Sequence, residues 1–245
     1  MALQKPYKRI WRPFINSGSC DHLINSEVAE DWVNLSQAYI LIEKELLEIF
    51  EFIEPHYNHN DVYSHKTYIL LLKAATEFEA NCKKILMING YTKDERSLTI
   101  KDYKKLNHPM RLSEYEASTS IGGKTFGPFS PFKIWDNGSL EWYRDYNSVK
   151  HSRQEMFYLA NLKNVLDAVS GLLIILVAQF HIHALGNNSS RSHLSIEKSD
   201  RMVMDFNNSI FKISTPPKWP SEEKYNFQWS SHLEHEKGRY DNWNF

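Results

Sequence analysis

The chain has 245 residues, 42 % hydrophobic and 13 % aromatic, with a formal net charge of −1. This suits one large domain with a sizeable core and excludes a whole-molecule field that gathers polyanions; RNA, neither proposed nor excluded by charge, would need a local basic patch. Two cysteines, Cys20 and Cys82, lie far apart without paired spacing, and the basic residues near Met1 have no apolar run behind them. Free thiols, no secretory signal and a cytoplasmic location are therefore expected.

Residues 1–24 read as an irregular arm, broken at Arg12-Pro13 and Asn16-Ser17-Gly18-Ser19, with Trp11, Phe14 and Ile15 available to pack. Asn25-Ser26-Glu27 opens a long helix whose stripe runs from Val28 through Trp32, Tyr39, Ile42 and Leu46 to Ile53, ended by Glu54-Pro55. After a polar loop, Ser64 caps a second helix running through Tyr68, Leu71, Phe78, Cys82 and Leu86 to Asn89-Gly90. A short loop between two long helices predicts an antiparallel pair.

Residues 91–137 read as a long inserted loop, with a short helix over 100–106 and breaks at Gly122-Gly123, Gly127-Pro128 and Pro131. Asn137-Gly138-Ser139 then supplies a break and an N-cap for a third long helix. Its apolar stripe is Trp142, Tyr146 and Val149, and Arg144, Asn147, Ser148 and His151 fall on an adjacent polar stripe. From Tyr158 the helical pattern resumes and turns almost wholly apolar from Gly171 to Phe180, which predicts the central helix of a bundle. Gln179, His181 and His183 limit its uninterrupted apolar part to about ten residues, half of what a bilayer needs, so a buried helix is expected and no membrane.

Beyond Leu185, Gly186-Asn187-Asn188-Ser189-Ser190 reads as a linker, and the alternation of Val203, Asp205, Phe206, Ile210, Phe211 and Ile213 around Asn207-Asn208-Ser209 predicts a hairpin. The aromatic tail, with Tyr225, Phe227, Trp229, Tyr240, Trp243 and Phe245, is expected to wrap the bundle or meet a partner.

Three weaker patterns read as structural. Ile121-Gly122-Gly123-Lys124-Thr125 lacks the spacing of a phosphate-binding loop, and no strand is expected before it. His56, His59 and His65 around one loop read as solvated, and His181 and His183 as the polar end of the buried helix, without metal-ligand spacing. Glu77 and Glu79 point to different faces of their helix, so they are no acid–base pair, but one of them can reach Arg144 or Lys150 across the bundle.

The four-helix pattern, with Arg144 followed by six residues and His151, resembles the HEPN superfamily, whose mark is an Arg, four to six residues and a His on the third helix. Asp145 matches that family's usual polar residue after the Arg. Tyr146-Asn147-Ser148-Val149-Lys150-His151-Ser152-Arg153 is also similar to the Tyr-Asn-x-x-Lys-His-x-Arg run of HEPN-like proteins from bacteria and phage-defence loci, which leaves Arg144 and Arg153 both open as the functional arginine.

The resemblance implies an all-α, HEPN-like up-and-down bundle over 25–185 with its insertion at about 91–137, preceded by the 1–24 arm and followed by a 186–245 extension. It also implies a homodimer with a composite site, no cofactor and no metal. The activity implied is a metal-independent endoribonuclease, a toxin or phage-defence effector restrained by a protein inhibitor or antitoxin. In that reading His151 is the general acid/base, Arg144 stabilises the phosphate, and Asn147 orients the imidazole or donates to the phosphate. Lys150 and Arg153 bind RNA, with Asp145 and Glu77 in support. A histidine imidazole titrates near neutrality and a guanidinium binds phosphate in two-pronged fashion, so these residue types suit attack by a 2′-hydroxyl on its own phosphate. The alternative is a non-catalytic HEPN-like module that binds a protein or nucleic acid.

Overall fold

A computed structural model describes residues 1–121, 124–186, 193–196, 201–234 and 238–245. In chain order its elements are α1 (Ser26–Ala29), α2 (Trp32–Phe50), α3 (His65–Ile88), α4 (Ile100–Tyr103), α5 (Asn107–Met110), β1 (Glu116–Ile121), β2 (Lys124–Phe129), α6 (Glu141–His151), α7 (Arg153–Met156), α8 (Leu162–Phe180), β3 (His193–Ile196), β4 (Met202–Asp205), β5 (Phe211–Ser214) and α9 (Trp229–Leu233).

The local signals behind the long helices are visible in their ends. The Asn25 side chain accepts from the Glu27 amide ahead of α1, and Ser64 and Thr67 cap α3 reciprocally. Gly90, at φ +83°, stands past the end of α3 in a conformation a side chain would resist. The first long helix is split into α1 and α2. At the break, Arg9 donates from Nε to the Val28 carbonyl (2.7 Å) and pairs with Asp31. Its guanidinium then passes to Gln179 (3.5 Å), and Gln179 to Asn81 (2.8 Å), a buried polar chain that joins the arm to α8 and α3. Burial lowers the Arg9 pKa to about 10.

Helix α8 is the centre of the molecule. Of its residues only Lys163 and Asp167 escape full burial, and α2, α3 and α6 lie against it. The segment Leu162–His183 is long and apolar enough to cross a bilayer, but 89 % of its most apolar stretch is buried inside the fold.

The expected all-α bundle is not what forms. The sheet runs β2-β1-β5-β4-β3, antiparallel throughout, so the fold is mixed α and β. Strands from the insertion and from the extension meet where β1 pairs with β5, with Ala117 opposite Ile213, and the sheet packs on α8. Ala117, Phe126, Phe129, Phe211 and Ile213 are all buried. The predicted hairpin is present as β4–β5. The linker expectation falls, after Gly186, on residues outside the described ones.

The tail lies on the arm. Tyr225 bridges both Leu3 and Phe14 and donates its hydroxyl to the Ile10 carbonyl (2.8 Å), and Tyr240 donates to the carbonyl of His22 (2.6 Å). Arg12 sits among the rings of Tyr7, Trp219 and Trp243.

Because β5 belongs to the same core as α8, Ile213→Ala should destabilise the whole chain by about 2–5 kcal/mol in one urea transition. A separate early transition for the extension would contradict this. Burial also lowers the pKa of His22 to about 4 and that of His181 to about 3, the latter aided by His183 and His22. The folded chain then refuses protons that the unfolded chain accepts below pH ~6.5, so stability should fall on acidification, at a slope that steepens toward about 1.4 kcal/mol per pH unit for each such histidine. Urea unfolding between pH 6.5 and 5.5 should show a shallower loss for His22→Phe; identical slopes would contradict the assignment.

Candidate functional site

Helix α6 has two faces of opposite character. Trp142, Tyr143, Tyr146 and Val149 are buried. Trp142 donates from its indole to the Pro131 carbonyl (3.2 Å) and meets Phe78 edge-on, while Tyr143 donates to Glu79 Oε1 (2.7 Å). The helix begins after Leu140, whose side chain supplies no cap, so Ser139 does not play the N-cap role expected of it.

Asp145 is buried among them. One oxygen accepts from Asn164 Nδ2 (3.0 Å), at the start of α8, and the other from Arg144 (3.3 Å). Asn164 is itself held by its amide nitrogen donating to the Leu159 carbonyl and by its backbone N–H donating to the Asn161 side chain. The carboxylate after Arg144 therefore fixes α6 to the central helix and restrains the guanidinium from behind.

On the outer face, Arg144 keeps 66 % of its side chain exposed while pairing with Asp145 and, at 3.9 Å, with Glu141. His151 is exposed at the last turn, and its imidazole makes no hydrogen bond among the described residues. His151 lies seven positions after Arg144, so the two stand about 10 Å apart along one side of the helix. Asn147, between them, donates to the Tyr143 carbonyl (3.1 Å), and Ser148 to that of Arg144 (3.1 Å); neither is hydrogen-bonded to the imidazole.

Lys150 donates to the Tyr146 hydroxyl (3.0 Å), and that bond, reinforced by the charge of Glu79, holds its pKa above the ordinary lysine value. Arg153 opens α7 and donates to His65 Nδ1 (3.1 Å). The carboxylate of Glu77 makes no hydrogen bond or ion pair among the described residues; Glu79 is the one that reaches α6, through Tyr143.

Beside Arg144 lies a cleft of about 770 Å³, floored by Pro131 and Trp142 and edged by Lys133, Asn137, Ser139, Glu141, Lys163 and Asp167. Lys163 bridges Glu141 (3.0 Å) and Asp167 (3.4 Å). Burial works against its ammonium, but the two carboxylates offset this and hold its pKa high, while burial raises that of Asp167. The charged groups of its lining are Lys133, Arg144 and Lys163 with Glu141 and Asp167, and of the cations Arg144 and Lys163 are both held in ion pairs. The sequence reading does not single out Lys133, Lys163 or Asp167, although the Lys163–Asp167 spacing is a helical ion-pair signal.

The other motifs separate. His56 accepts from the Asn58 amide, His59 bonds the Glu54 carbonyl, and His65 joins Arg153. His181 is buried, stacked on Trp11 at 4.2 Å. No group of three His, Cys, Asp or Glu side chains is poised for a metal among the described residues. A strand does precede Ile121, against expectation, but a second strand follows instead of a helix, and Gly122 and Gly123 lie outside the described residues.

Comparison with protein-family models, with curated proteins and with solved structures returns no match.

Asn164→Ala would leave a buried carboxylate oxygen without its donor, at a cost of about 1–3 kcal/mol. Thermal unfolding should register that loss, and an unchanged melting temperature would show that Asp145 does not depend on α8.

Proposed function

We propose that this chain is a metal-independent endoribonuclease of HEPN type, acting in the cytoplasm as a homodimer whose α6 faces form a composite site. The observation that carries the reading is the pairing of an exposed, unbonded His151 with an exposed Arg144 on one face of a helix anchored from behind. An imidazole free of partners is able to take the 2′-hydroxyl proton or protonate the leaving oxygen. The guanidinium meets the phosphorane charge, already oriented by Asp145. Arg144 is preferred to Arg153 for this task because Arg153 is engaged with His65 and two aromatic rings. Lys150 adds positive charge on the approach. A toxin or phage-defence role, with a protein inhibitor as restraint, accords with such chemistry.

A non-catalytic binding module is favoured by one feature: Asn147 and Ser148 spend their polar groups on carbonyls of their own helix. The chemistry separates the two readings. Incubated with a mixed RNA pool in excess chelator, the wild type should leave cyclic phosphate ends. His151→Ala should lose about 100-fold or more and Arg144→Ala a comparable amount, both with unchanged circular dichroism. Intact RNA at high protein concentration, or full cleavage by His151→Ala, would contradict the nuclease assignment.

A further inference from the structure

Directly beyond His151 the chain turns at Ser152 into α7, and side chains from two other segments gather there. The Arg153 guanidinium lies over the rings of Tyr68 and Phe157, 4.8 and 5.6 Å from their centroids. His65 and Tyr63 meet the same Phe157 ring at 5.0 and 5.8 Å between centroids. The backbone fixes these positions, since Tyr63 bridges Asn161 and the Leu162 amide donates to the Val62 carbonyl (2.9 Å).

An aromatic cluster can be sealed in a core or left open to water. This one is open: Tyr63 is 49 % exposed, His65 and Arg153 are exposed, and Tyr68 and Phe157 are half-buried. Planar apolar surface left in water beside cationic groups is the composition that holds single-stranded nucleic acid, because every base has a π-face and every linkage a negative charge. Asp61 and Glu155 are the nearest carboxylates in sequence, against Lys150 and Arg153 and the imidazoles of His65 and His151.

We infer that Tyr63, His65, Arg153 and Phe157 form a stacking subsite for an unpaired nucleobase, adjoining the phosphate handled by His151. This rests on the ribonuclease reading and narrows its substrate to RNA whose bases are free of a duplex, since a paired base cannot offer its face to protein rings.

The test is binding of a fluorescent 2′-O-methyl oligonucleotide, which the proposed chemistry cannot cut, followed by anisotropy. The wild type should bind the single strand more tightly than a duplex of the same sequence or a strand with abasic sites. Tyr63→Ala should weaken single-strand binding about tenfold, and Arg153→Lys, which keeps the charge but loses the plane, should weaken it similarly. Tyr63→Phe should bind as the wild type does, which separates loss of stacking from loss of fold. Equal affinity for all three strands, or wild-type binding by both Tyr63→Ala and Arg153→Lys, overturns the subsite. If the stacking pattern holds while unmodified RNA stays intact, the subsite stands and the cleavage reading falls; if RNA is cut and neither Tyr63→Ala nor Arg153→Lys changes binding, the reverse follows.

Discussion

Everything else in the fold depends on the need to cover α8. A helix apolar on every side must be surrounded, because each exposed apolar side chain forgoes about 25 cal/mol for every Å² it would bury. Helices α2, α3 and α6 cover part of it. The rest is closed by the sheet and by the N-terminal arm, whose Trp11 amide donates to the Ala178 carbonyl near the end of α8 (2.9 Å). The insertion and the extension are therefore walls of one core.

That constraint also shapes the candidate site. Helix α6 turns Trp142, Tyr146 and Val149 inward and is pinned at Asp145 to Asn164, so its remaining side is set rigidly at the surface. Arg144 and His151 gain fixed positions from burial they do not share. A site presented on a helix held by a buried carboxylate and a buried indole is better positioned than one on a loop. The neighbouring cleft, with Lys163 between Glu141 and Asp167, adds a polar recess at the Arg144 end, while the open rings of Tyr63 and Phe157 lie beyond His151.

The long helices were legible in the sequence because their signals are local: Ser64 and Gly90 bound α3, and the unbroken apolar run from Gly171 marks α8 as central. The β4–β5 hairpin was legible for the same reason, its alternation being carried by Phe211 and Ile213. The rest of the sheet was not. Strand β1 reads Glu-Ala-Ser-Thr-Ser-Ile, with Ala117 and Thr119 as its inward residues, and small polar side chains ahead of Gly122-Gly123 look like loop. Its partner β5 lies nearly a hundred residues away, and no window along the chain sees a pairing of that range. At the site, the stripe of Arg144 and His151 was readable from helical spacing, whereas the bonds that tie Asn147 to its own helix and Arg153 to His65 depend on rotamers and on packing between α3 and α7. Glu79 rather than Glu77 meets α6, a choice the two-residue spacing left open.

Whether two α6 faces share one site is the question on which the functional reading turns. The most direct measurement is RNA cleavage by a fixed amount of wild type as a folded Arg144→Ala/His151→Ala double variant is added and allowed to exchange subunits. If two α6 faces act together, activity should fall as mixed dimers replace wild-type ones. Activity that stays proportional to the wild-type chain alone, whatever the excess of variant, would contradict a shared site.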